Sequence, residues 1–132
     1  MNQDLDGART LINQVRNRAK NSRYVQKVDG SGDAANYVIE PYSAAGWTQE
    51  YARRALRFER RLELAMEGHR FYDLVRWGVA ESVMNTYFTG ESDNVIYLDG
   101  AQFTPNKHEY LPIPQDEIDL APTLYSQNQG YN

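Results

Sequence analysis

The chain has 132 residues, 41% of them hydrophobic, and a formal charge of -4. That is enough apolar content for one domain with a core, and the wrong sign for general attraction to nucleic acid or anionic lipid. With no cysteine, disulfides, thiol nucleophiles and thiolate metal sites are excluded. No apolar run approaches the ~20 residues of a membrane-spanning helix, and the opening MNQDLDGART lacks the basic-then-apolar design of a signal peptide.

Asp4 or Asp6 can cap a first helix, in which Ala8, Leu11, Ile12, Val15 and Ala19 recur at three-four spacing through about Lys20, while Arg9, Asn13, Arg16 and Asn17 take the other face. From Asn21 to Gly46 the periodicity breaks. DGSGD at Asp29 to Asp33 is turn chemistry, and Tyr37 to Ile39 is at most a strand-like segment before Pro41. Connections of this length inside a domain are uncommon and often functional.

Thr48 predicts the N-cap of a second helix running to about Met66, with Trp47 packing back on its first turn. On that helix Tyr51, Ala55, Phe58, Leu62, Ala65 and Met66 form an apolar stripe, and Glu59 and Glu63 fall at its edge. Carboxylates beside a packed surface need partners. The planar forks of Arg70 and Arg76, just past a bend at Gly68, suit that role, so the segment reads as two helices locked by a structural ion-pair network of Glu59, Glu63, Glu67, Arg70, Asp73 and Arg76. If that pairing is buried, loss of Glu63 or Arg70 is expected to cost several kcal/mol, because one charge is left uncompensated.

Phe71, Leu74 and Val75 give a short third helix ending near Gly78, and Val79 to Phe88 a fourth with Val83, Met84 and Tyr87 inward. The residues preceding Pro112 and Pro114 are pushed into extended conformations. A single helical turn from Pro114 to Ile118 interrupts a tail read as an extended strap. The fold class is all-α: three to four helices, long irregular loops and a proline-containing tail, within one domain over residues 1–132.

The chemistry on offer is sparse. Glu59, Glu63 and Glu67, at successive i+4 positions, can be read as structural ion pairs or as the acid and base of a carboxylate enzyme such as a glycoside hydrolase. Glu67-Gly68-His69 is one residue too short for the Glu-x-x-His of a di-iron bundle, and two distant histidines make no zinc signature. No nucleophile elbow, P-loop or dinucleotide fingerprint is present. The reading therefore names no catalytic residue, no metal and no cofactor. Arg53, Arg57 and Arg61 are either a solvated helix face or a nucleic-acid footprint, with the interspersed glutamates against the latter. Tyr37, Tyr42 and Trp47, in the long connection, are candidate ligand-binding residues because aromatic faces suit sugar rings; core packing is the competing reading.

Three ordered motifs carry a resemblance. Glu59-Arg60-Arg61-Leu62-Glu63-Leu64-Ala65, then Glu67-Gly68-His69-Arg70-Phe71-Tyr72-Asp73-Leu74 and Arg76-Trp77-Gly78, closely resemble the C-terminal signature of the SusD/RagB family of nutrient-binding outer-membrane lipoproteins. Tyr110-Leu111-Pro112-Ile113-Pro114, Glu117-Ile118-Asp119-Leu120 and Asn128-Gln129-Gly130-Tyr131 look like the same family's closing segment, with Gln129 where proline is common and Ala121 where asparagine is frequent. The first helix, Ile12-Asn13-Gln14-Val15-Arg16-Asn17-Arg18-Ala19, resembles the segment before the signature. The resemblance implies the C-terminal part of a longer, lipid-anchored cell-surface protein of Bacteroidetes-type bacteria, its anchor outside this chain. It also implies non-catalytic capture of glycans or similar nutrients for a SusC-like TonB-dependent transporter.

Overall fold

In a computed structural model, residues 4–131 are described. They form α1 (Leu5–Lys20), α2 (Gln49–Glu63), α3 (His69–Arg76), α4 (Ala80–Glu91), a 3₁₀ turn at Ile96–Leu98 and α5 (Gln115–Leu120), with no strand among the described residues. The chain is mostly helical, as its periodicity predicts. Tyr37–Ile39 finds no ladder partner; the β-contact in that connection is an isolated bridge between Gln26 and Asp33. Two compact units are formed, Met1–Ala65 and Met66–Asn132.

In the first unit, α1 and α2 start as the sequence dictates. The Asp4 carboxylate accepts from the Gly7 amide at 2.7 Å, and the Thr48 hydroxyl accepts from the Tyr51 amide at 3.2 Å. The two helices run parallel: Trp47, just before α2, bonds to Leu5 at the start of α1, while Arg18 near the end of α1 meets Glu63 at the end of α2. A parallel pair obliges the chain to travel back the length of α1, roughly 24 Å at 1.5 Å per residue. The long connection is that return path. Its contacts step down α1 in order: Tyr24 hydroxyl to Lys20 carbonyl, Arg16 Nε to Glu40 carbonyl, Asn13 to Tyr42, and Trp47 to Leu5.

The buried seam is Ile12 against Ala52 and Ala55, with Glu59 among them. Small alanines let the helices approach closely. The predicted stripe is therefore displaced: Phe58 and Leu62 stay half exposed on its flank, and α2 stops at Glu63, three residues short of Met66. Met66 (φ 67) and Gly68 (φ 77) adopt left-handed backbone, which ends one helix and begins the next.

In the second unit α3 closes in a Schellman motif. The Gly78 amide bonds to the Val75 carbonyl at 2.9 Å and the Val79 amide to the Leu74 carbonyl at 3.0 Å, with Gly78 at φ 66. That turn redirects the chain into α4, so Leu74, Ala80 and Phe103 are buried together, with Val75, Val79, Val83, Met84 and Phe88 packed around them. The tail is not a simple strap: it doubles back on itself. Gln127 brackets Ile113, Asn128 Nδ2 donates to the Leu111 carbonyl at 2.6 Å, and the Tyr131 hydroxyl donates to the Tyr110 carbonyl at 2.9 Å.

One device recurs in both units. Asn13 accepts from the Tyr42 amide (2.7 Å) and donates to its carbonyl (2.9 Å); Asn85 does the same to Phe103 (2.7 and 3.1 Å), and Gln127 to Ile113 (2.8 and 2.8 Å). Each side-chain amide acts as a one-residue substitute for a β-strand neighbour. Irregular backbone that would otherwise lack partners is satisfied in this way.

Candidate functional site

The three aromatic candidates do not form one surface. Tyr37 stacks on Tyr24, centroids 4.7 Å apart at 27°. Tyr42 and Trp47 join Tyr51 in a separate cluster with centroid separations of 5.5, 5.8 and 5.4 Å. All three candidates are half-buried. Trp47 Nε1 donates to the Leu5 carbonyl at 2.8 Å, fixing the indole at the shared start of α1 and α2.

Tyr42 leads inward to a polar centre. Its hydroxyl donates to Glu59 Oε1 at 2.9 Å, Arg16 Nη1 meets the same oxygen at 2.6 Å, and the Arg16 guanidinium lies 4.6 Å from the Tyr42 ring centroid. Glu59 is only 7% exposed. Burial, then the hydrogen bond to the Glu59 carboxylate, push the Tyr42 phenol from 10.0 to about 12. A phenol held this firmly protonated is a hydrogen-bond donor and not a general base near neutrality. One oxygen of Glu59 holds two donors, which fits a brace better than a carboxylate poised for proton transfer.

The structure supplies partners that the sequence reading missed. Guanidinium contacts reach Glu59 from Arg16 and Glu63 from Arg18, both on α1; the periodicity places Arg16, with Asn13, on an outer face. Arg76 instead pairs with Asp73 at 2.8 Å, one turn away on α3. Glu67 lies 3.8 Å from His69, both exposed. Nothing in local spacing betrays a partner 43 residues away; the available signal was a charged residue, Arg16, next to an apolar stripe. No group of three or more His, Asp or Glu stands ready to hold a metal among the described residues.

A concavity of about 440 Å³ lies in the second unit. Its lining mixes Asn85, Thr89, Ser92, Asp99 and Gln102 with the ring of Phe88. Residues from the end of α4 and from the loop after the 3₁₀ turn meet there. Periodicity could not have found it, because half of its wall is irregular backbone.

A SusD-like protein of Formosa agariphila is 32% identical over 127 residues, covering 90% of this chain and 21% of its own length. The chain thus spans about a fifth of the curated relative that it matches. The family model described as the SusD family matches residues 1–131, nearly end to end, and on that match the chain belongs to the SusD family.

Proposed function

We propose that the protein containing this chain is a non-catalytic, cell-surface binding protein that captures glycans or related nutrients and hands them to a SusC-like TonB-dependent transporter. The observation that carries this reading is the family match over residues 1–131. Localisation at the outer membrane through a lipid anchor outside these residues belongs to the same proposal. Within it, the present chain chiefly supports the scaffold. Tyr42 and Trp47 serve the helix seam through their bonds to Glu59 and Leu5, and Tyr37, stacked on Tyr24, remains the candidate for sugar contact.

Calorimetric titration of the full-length protein with a panel of oligosaccharides tests the proposal. Saturable binding without turnover is the expected outcome. Robust glycan cleavage by the purified protein would overturn it and favour a carboxylate enzyme built on Glu59, Glu63 or Glu67. The engagement of Glu59 by Arg16 and Tyr42 speaks against that alternative.

A further inference from the structure

The two sides of the α1–α2 seam differ. The return connection covers one side through Asn13, Arg16, Tyr42 and Trp47. The other side is bare. There Leu11 and Leu56, 64% and 49% exposed, line two adjoining hollows of about 320 and 380 Å³ that share Ile12 and are continued by Ala8 and Val15. The groove is lined from Leu5 to Val15 on α1 and from Gln49 to Glu63 on α2, with Glu59, Arg60 and Glu63 at one end and the exposed Arg53 nearer the other.

The accessible surface supports the same conclusion. The chain exposes 10430 Å², whereas a folded monomer of 15.2 kDa is expected to expose about 7,100 Å². Even two separate compact units of half that mass would expose only about 8,600 Å². No side chain is fully buried among the described residues. The chain spans 21% of its relative's length and keeps more surface uncovered than a compact monomer of its mass.

We infer that the bare side of the α1–α2 seam seats an amphipathic helix of the same polypeptide lying outside these 132 residues. Two parallel helices with an apolar furrow between them accept a third helix by ridges-into-grooves packing. The length of the furrow calls for about four turns, with apolar residues at three-four spacing and an acidic residue facing Arg53. The inference concerns packing and stands whatever ligand the protein binds.

A photo-crosslinking amino acid placed at Leu56 in the full-length protein, isolated from its own cells, tests it. The expected product is an intramolecular crosslink to a helical peptide outside residues 1–132. A crosslink to a second copy, to another protein or to this chain's own connection overturns the inference, as does the absence of any crosslink. As a second measurement, Leu11→Glu should lower the thermal midpoint of the full-length protein by a few degrees, while Val28→Glu in the open loop leaves it in place. Equal behaviour of the two variants also overturns it.

Discussion

Glu59 is the residue on which the first unit turns. Buried in the helix seam, its carboxylate is tolerated because Arg16 and Tyr42 supply charge and a hydrogen bond to one oxygen. Glu59→Ala or Arg16→Ala should therefore destabilise the protein by about 3–5 kcal/mol in urea unfolding, each leaving a charge uncompensated. Glu63 is different: with Glu63 34% and Arg18 69% exposed at the side chain, Glu63→Ala should cost less than about 1 kcal/mol. The several-kcal/mol cost belongs to a buried pairing, and this one is partly exposed. The pH dependence follows from Tyr42. Its folded pKa is raised, so the stability from keeping the phenol protonated is complete below pH 10.0 and is lost as pH climbs toward about 12. Tyr42→Phe should lose about 1 kcal/mol near neutrality and show a flatter decline of urea midpoint across that alkaline window. The need of Glu59 for a partner was legible from its place beside an apolar stripe. Its identity was not, because Arg16 is brought near only by the parallel pairing of α1 and α2.

At the scale of elements, helix starts were the most readable features. Asp4, Thr48 and Gly68 each mark a boundary by local chemistry that no tertiary contact needs to assist. The connection is long for one inside a domain; a parallel pair obliges it to return along α1, which by itself takes only about seven extended residues. The side-chain amides that organise irregular backbone escaped the reading, since Asn13, Asn85 and Gln127 look like ordinary polar surface in sequence. Asn13→Ala should strip the Tyr42 amide and carbonyl of their partners, costing about 1–3 kcal/mol and opening residues 21–47 to limited proteolysis. Gln127→Ala should leave the helices intact and accelerate hydrogen exchange at the Ile113 amide. In the second unit Phe103 is the aromatic plug between α3 and α4, and Phe103→Ala should cost about 3–5 kcal/mol of thermal or urea stability.

At the scale of the whole molecule, each unit has its own small core, and the first has a partly covered helix pair. The division between units falls between Ala65 and Met66, inside the charged stretch that makes the family resemblance strongest. Sequence could read that stretch as a signature and as a bend. It could not show that the bend separates two contact networks, because the apolar spacing continues on both sides of it. The placement of the two tryptophans, Trp47 in one unit and Trp77 in the other, gives this division a practical use. With Trp77→Phe, the remaining indole is hydrogen-bonded to Leu5 and flanked by Tyr42 and Tyr51. Its emission becomes a local optical gauge of the α1–α2 seam, able to register the loosening of one unit while circular dichroism follows the helices of both.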